Sequence, residues 1–407
     1  MQSILTTPAE GRIPRASREG LILILGGSLT IMGSVMIAAV MPKIDAEFGP
    51  RTPAADVLVP LAITGPALAM ALFSPLVGWL ADRFGRKNLL ILATVLYAVT
   101  GMLPALLDDL GSIVLSRLVF GCAEAAIMTC CTTLIADYWH GQERGRFVNL
   151  QVVSIGIVGA LFFVIGGALG EHSWRLPFYL YLLPLLLVPA MIGVLWEPQV
   201  KPRARQKQPE AGQPTVSGTL LANYLLVSGG MVLAFVVPVQ TPALLVQKGI
   251  TSSTLIGLSA GLGLLASLVG SLLWPWFRHR VGIAGVNTLL LTLEGVGLWL
   301  LVHAGDYPQV LLAVSVHGIG VGMLVPNTML PVMNALSERH RGKGLGVFTG
   351  CLYIGQFISP LVVAVIANVA HNIQGSIQLL SVASLAGALA WLFTGLKRQS
   401  AQIAKDK

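Results

Sequence analysis

Glu124, Glu294 and His317 lie deep within long apolar runs of a chain in which charge is scarce. Of its 18 acidic residues, all but these two glutamates fall in or beside polar stretches. An ionisable group inside such a run is costly, and its usual use is to carry a proton, an ion or a polar cargo. Arg117 precedes Glu124 by seven residues, or two helical turns, so the pair shares one helix face about 10 Å apart along the axis. An acid and a base so placed compete for a proton, a zwitterion or an anion. The competing reading is structural: each bonds backbone or a neighbouring helix. His317 titrates near neutrality when exposed and so suits proton exchange, with a packed neutral imidazole as the equal alternative. Glu124, His317 and Glu294 are therefore the candidates for proton coupling. Arg117, Glu124, Gln240, His317, Asn327, Tyr353 and Gln356 are the candidates for substrate binding, with simple packing as the alternative for the uncharged ones.

No phosphate-binding glycine loop, metal-ligand cluster or nucleophile triad accompanies them. The expectation is a protein that is not an enzyme, takes no cofactor or metal, and is driven by an ion gradient, that of protons first. Cys122, Cys130, Cys131 and Cys351 fall in apolar segments and imply packing, not a disulfide framework. The net charge of +8 suggests nucleic acid at first sight, but membrane topology accounts for it, and no nucleic-acid partner is expected.

These residues need a scaffold that holds them away from water. The 407 residues are 55% hydrophobic and only 11% charged, too few charges to cover a water-soluble surface. Crossing the hydrocarbon takes about 20 apolar residues. The pattern predicts twelve spans: 21–43, 56–80, 89–107, 112–135, 148–170, 176–196, 218–246, 253–275, 285–303, 308–332, 344–369 and 375–396. All are expected to be α-helical, because a helix satisfies its own backbone in lipid. The polar stretch 197–217 reads as a linker between two six-helix bundles, 1–196 and 218–407. With the N-terminus in the cytoplasm, tails and even-numbered connections hold 21 of the 26 Lys and Arg residues, against four on the other side. The excess of basic residues places both termini in the cytoplasm.

The halves repeat at a constant offset of 197 residues. Asp82-Arg83-Phe84-Gly85 falls on His279-Arg280-Val281-Gly282, Arg144-Gly145-Arg146 on Arg341-Gly342-Lys343, and Gly121 on Gly318. Two parallel repeats imply a binding site between them near the midplane, reached alternately from either side.

The strongest local signal is Gly78-Trp79-Leu80-Ala81-Asp82-Arg83-Phe84-Gly85-Arg86-Lys87, between spans 2 and 3. It resembles the G-x-x-x-D-R-x-G-R-K/R signature of the major facilitator superfamily. Arg117-Leu-Val-Phe-Gly121, Ala136-Asp137-Tyr138-Trp139, Trp174-Arg175 with Phe178, Gly318-Ile319-Gly320-Val321-Gly322 and Gly355-Gln-Phe-Ile-Ser359-Pro360 resemble its other motifs, so the likeness runs through the whole chain. The resemblance implies an all-α membrane protein with spans 1, 4, 7 and 10 lining the cavity and spans 3, 6, 9 and 12 peripheral. That setting leaves Glu294, on span 9, evenly divided between structure and coupling. It also implies a cytoplasmic gate at Gly78, Asp82, Arg83, Gly85, Arg86 and Lys87. Here Gly78 admits a close helix, Asp82 meets a helix N-terminus of the other half, and the arginines pair with acids. One departure is that Phe162-Phe163 precede Gly166-Gly167 where many drug:proton antiporters carry Gly-Pro.

The functional expectation is secondary active transport by alternating access, with proton-coupled efflux of small amphipathic or drug-like compounds first. The alternative is a symporter or facilitator for a small organic anion: a carboxylate, sugar acid or siderophore. The partners expected are a small-molecule substrate and the lipid bilayer, with the monomer as the working unit. The short connections suggest a bacterial inner membrane. The topology predicts that, in intact cells, an impermeant thiol reagent labels a cysteine introduced at Asp108 and spares those at Pro214 and Lys405; labelling at 214 from outside overturns the orientation.

Overall fold

The computed structural model describes residues 17–198, 218–336 and 338–403. Most of the expected linker, 199–217, and the termini with Lys405 lie outside the described residues. Among the described residues the regular elements are all helical. Span 1 is formed by α1 (Arg18–Leu29) and α2 (Met32–Phe48), and spans 2 to 5 by α3 (Ala55–Phe84), α4 (Arg86–Met102), α5 (Leu110–Tyr138) and α6 (Gly141–Gly170). Span 6 is a 3₁₀ segment, Leu176–Leu187, continued by α7 (Val188–Val194). The C-terminal half holds α8 (Gly218–Gln247), α9 (Ser253–His303), α10 (Tyr307–Ala335), α11 (Glu338–Ala370) and α12 (Ile373–Ile403). The four cysteines are free.

Three segments depart from the expected regular spans. Span 1 is interrupted at Thr30–Ile31, between α1 and α2. Span 6 opens as a 3₁₀ helix, in keeping with Pro177 at its start and Pro184 within it, since proline removes the donors an α-helix needs. Spans 8 and 9 run together as α9, whose 51 residues would reach about 75 Å if straight, more than twice the hydrocarbon thickness. The chain turns back at Gly282, where φ is +69°. Among the described residues eleven helices are long and apolar enough to cross, and the doubled α9 brings the passes to twelve.

α10 lies against both limbs of α9. A side-chain carbon at Gly318 would run into the carbonyl of Gly263 on the first limb, and one at Gly320 would lie 2.8 Å from the carbonyl of Leu290 on the second. The contact on the first limb has a twin in the other half. A carbon at Gly121 would lie 2.6 Å from Cα of Pro66 and 2.9 Å from Cβ of Ala69; at Gly318 it meets Gly263 and, at 3.0 Å, Ala266. Each pair of positions is related by the 197-residue offset. Gly85 and Gly282, also so related, both take left-handed backbone, at φ +89° and +69°. The repeat seen in sequence is thus a repeat of backbone crossings and turns.

The halves are joined at the end opposite the basic connections. There α6 crosses α9 so closely that a side-chain carbon at Gly257 would strike the Phe163 carbonyl, and one at Gly167 the Ser253 carbonyl. Leu264 and Leu268 press on Gly159 and Gly156 farther along. On the other seam Thr64 of α3 donates to the Phe357 carbonyl of α11 at 3.4 Å. At the basic end Gly78, Gly145, Gly346 and Gly350 have open space where a side chain would stand.

The backbone contact at Gly318 carries a direct test. Gly318→Val is expected to lower stability by about 1–3 kcal/mol, because the obstacle is backbone and cannot rotate away. Thermal unfolding of the purified protein in detergent measures this, and an unchanged midpoint contradicts the packing described.

Candidate functional site

A cavity of two adjacent lobes lies between the halves. Both lobes are lined by Ile31, Ser34 and Phe235. The first, about 190 Å³, takes Glu124 from α5 and Tyr353 and Gln356 from α11. The second, about 140 Å³, is walled chiefly by apolar side chains such as Phe163, Met231, Leu264 and Val314, with His317 among them. Of the residues singled out in sequence, the structure therefore brings Glu124, Tyr353 and Gln356 together across the two halves. It sets His317 on the neighbouring lobe.

Glu124 is 7% exposed and Gln356 8%. Among the described residues no protein hydrogen bond reaches the Glu124 carboxyl, the Tyr353 hydroxyl or the Gln356 amide. These three line the cavity as a set of donors and acceptors open to it. Ser34 adds a hydroxyl from α2, and Thr30 is turned onto its own helix, donating to the Gly27 carbonyl at 2.7 Å.

Arg117 is placed otherwise than a substrate clamp requires. It is fully buried and outside both lobes. Its guanidinium donates to the Gly33 carbonyl and, at 3.3 Å, to the Ala62 carbonyl, and lies over the Phe120 ring at 4.0 Å. The expected closeness to Glu124 is indirect. Gly33 stands between them: a side-chain carbon there would be 3.0 and 3.1 Å from the two Glu124 oxygens. Helix periodicity brought the two charges onto one face, but the carbonyls of neighbouring helices captured the arginine.

Gln240 is buried on α8 and lines neither lobe. Asn327 is likewise removed from the cavity. Its amide nitrogen donates to Asn287 Oδ1 at 2.6 Å and to the Ile283 carbonyl at 3.2 Å, and its oxygen accepts from Trp274 Nε1 at 3.1 Å. These bonds tie the two limbs of α9 together beside the Gly282 turn. Glu294 is fully buried where α9 meets α10 and α12, and its carboxyl oxygens have no partner among the described residues. Its backbone carbonyl faces His317 Nδ1 at 3.2 Å.

The gate motif bonds within its own half. Arg86 pairs with Asp137 and, at 3.2 Å, with Asp82. Glu197 accepts from the backbone N–H groups of Arg86 and Lys87 at 2.7 and 2.8 Å, capping α4, while Lys87 Nζ donates to the Ile192 carbonyl at 2.8 Å. Arg83 rests on the Trp79 and Phe84 rings at 5.4 and 5.9 Å. Among the described residues nothing lies within 4 Å of where a Gly78 side chain would stand.

At the joined end, sequence reasoning missed Glu171, which follows α6. It accepts from the Ser252 hydroxyl and, at 2.9 Å, from the Thr254 N–H at the start of α9, bridging the halves. Lys43 donates to the Gly170 and Glu171 carbonyls at 2.6 and 2.8 Å, with its nitrogen 3.8 Å from the Glu171 carboxylate. An acid one residue beyond a predicted span reads as an ordinary loop charge; only its partner across the seam gives it meaning.

The sequence profile described as Major Facilitator Superfamily matches residues 23–284 and 226–407. The 3-(3-hydroxy-phenyl)propionate transporter of Escherichia coli is 26% identical over 291 residues, 70% of this chain and 71% of that protein. The quinolone resistance protein NorA of Staphylococcus aureus is 25% identical over 343 residues, 81% and 85% of the two chains. With a triacylglyceride transporter of Mycolicibacterium hassiacum the identity is 28% over 218 residues, 51% of this chain but only 39% of that relative's length. Among solved structures, the xylose transporter XylE of E. coli in an inward open conformation superposes with a TM-score of 0.74 at 16% identity, covering 92% of this chain and 95% of that one. That likeness is one of fold.

The Glu171 bridge is pH-sensitive. Hydrogen bonds from Ser252 and Thr254 hold its carboxyl below the ordinary value of 4.5, with a smaller pull from Lys43. A depressed pKa stabilises the joined arrangement above the ordinary range, and this contribution is lost as pH falls through the lowered value. Spin labels at Ser173→Cys and Thr251→Cys should report one short distance at neutral pH and a longer population on acidification. Glu171→Gln should show the longer population already at neutral pH; a distance unaffected by both changes removes Glu171 from the seal.

Proposed function

The chain belongs to the Major Facilitator Superfamily, and from that premise and the cavity we propose that this secondary transporter exports small amphipathic compounds in exchange for protons. The observation that carries the reading is the unpartnered Glu124 carboxyl beside Tyr353 and Gln356, next to an apolar lobe. A compound with an apolar body and a hydrogen-bonding or cationic head fits that division. Glu124 serves cargo and proton by mutual exclusion. A carboxyl that has taken up a proton no longer offers a charge to a cationic head, and binding of that head displaces the proton. This linkage is what exchange requires. The proton gradient supplies the drive, without a cofactor. His317 and Glu294 remain secondary carriers in this reading.

With the basic connections in the cytoplasm of a cell's inner membrane, the joined end faces outward and the cavity opens inward, poised to load from the cytoplasm. When the halves rock the other way, Asp82 and Arg83 meet the opposite half and close the inner side. The monomer holds every part of this cycle.

A second reading is uptake of a small organic anion. It is favoured by the hydroxyphenylpropionate transporter among the relatives, whose named cargo is an aromatic carboxylate. It loses support from the capture of Arg117 by backbone carbonyls, which leaves the cavity without that cation.

Flux in proteoliposomes under an imposed pH gradient separates the two, with a fluorescent amphipathic cation and an aromatic carboxylate as alternative cargoes. Glu124→Gln keeps the shape and removes the titration, and is expected to lower gradient-driven flux of the cation by at least about tenfold, some 1.4 kcal/mol. Undiminished flux in this variant moves the proton to His317 or Glu294. Transport of the carboxylate alone selects the second reading.

A further inference from the structure

In a continuous helix the Leu29 carbonyl would accept from the Gly33 N–H. Here that N–H turns instead to the Thr30 carbonyl at 3.2 Å, and the Ile31 N–H to the Ser28 carbonyl at 3.4 Å. The Leu29 carbonyl is thereby released in the membrane interior, where no solvent can satisfy it. Tyr97 of α4 donates its hydroxyl to this oxygen at 2.6 Å. Tyr181 of the 3₁₀ segment reaches the next turn, its hydroxyl 2.8 Å from the Met32 carbonyl and 3.2 Å from that of Gly33.

Both tyrosines are fully buried, although spans 3 and 6 are the ones expected at the periphery. Their rings pack against each other at 5.7 Å and against Phe120 at 4.4 and 5.2 Å, and Phe120 in turn carries Arg117. Gly101 leaves room for the Tyr181 ring, whose nearest atom would lie 2.6 Å from a side-chain carbon there. Donors from spans 3, 4 and 6 thus converge on the carbonyls of Leu29, Met32 and Gly33 around one interruption.

The interruption stands beside the cavity. Thr30, Ile31 and Ser34 line it, and Gly33 backs the Glu124 carboxyl. We propose that Tyr97 and Tyr181 are positioning residues: their hydroxyls hold span 1 open at Thr30–Ile31, and so set Ser34 and Gly33 against the Glu124 lobe. The proposal concerns the shape of the cavity and stands apart from the identity of the cargo. Without the hydroxyls the released Leu29 carbonyl regains a partner by rewinding the helix, which turns the two halves of span 1 relative to one another.

The test is the rate at which a small water-soluble maleimide modifies Ser34→Cys in membrane-embedded protein, read by mass spectrometry of the labelled peptide. Gln356→Cys, on α11 in the same lobe, serves as reference. Tyr97→Phe and Tyr181→Phe keep both rings and remove only the oxygens. Together they are expected to change the rate at position 34 by about tenfold or more, while position 356 keeps its rate. An unchanged rate at 34 overturns the proposal. So does a parallel change at both positions, which marks general loosening. If the double replacement does not insert, each single replacement is judged by the same pair of rates. Tyr179→Phe, half-exposed on the same segment as Tyr181, should leave both rates alone.

Discussion

In hydrocarbon, every backbone carbonyl released from a helix must find a donor inside the protein, and the departures from regular helix in this structure answer to that constraint. The carbonyl freed in span 1 is met by Tyr97, and the Met32 and Gly33 carbonyls at the start of α2 also accept from Tyr181 and Arg117. At the Gly282 turn, in the basic connection at the membrane's edge, the Ile283 carbonyl is met by Asn327 in the same way. The donors are costly to bury on their own account. A tyrosine hydroxyl, a guanidinium and an amide become tolerable in the membrane because the irregular backbone needs them, and the irregular backbone becomes tolerable because they are there.

This mutual need explains why the polar residues of the apolar core divide into two groups. One group is bonded to neighbouring helices: Arg117, Tyr97 and Tyr181 to backbone carbonyls, and Asn327 to backbone and side chains. The other lines the cavity and has no hydrogen-bond partner among the described residues: Glu124, Tyr353 and Gln356. In the proposed exchange, the second group is where cargo and proton bind. Glu294 belongs to neither group, since its carboxyl is buried without a partner and lies away from the cavity.

The seam between the halves follows another economy of contact. Association of helices in lipid relies on close packing, since the surroundings are as apolar as the side chains. Glycines at 167, 257 and 261 let α6 and α9 meet backbone to backbone, and those at 156 and 159 admit the leucines of α9. Glu171 adds a polar bond where the seam reaches water. At the basic end Asp82 remains mostly exposed and paired within its own half. The same signature can therefore serve a different contact when the halves rock.

The sequence by itself determined the class of the molecule: apolar length, the distribution of basic residues, the 197-residue repeat and the Gly78–Lys87 signature are all local properties of chain and solvent. It also singled out Glu124, because a lone carboxylate in an apolar run is conspicuous without knowledge of its neighbours. Which polar residues face the cavity was decided only by tertiary structure. Arg117 and Glu124 share a helix face by periodicity, yet the carbonyls of Gly33 and Ala62, on two other helices, took one and left the other. The interruption of span 1 has no proline at Thr30–Ile31 to announce it. It exists because Tyr97, 68 residues away, and Tyr181, about 150 away, bring donors to the place, and spacing along the chain carries no record of such a meeting.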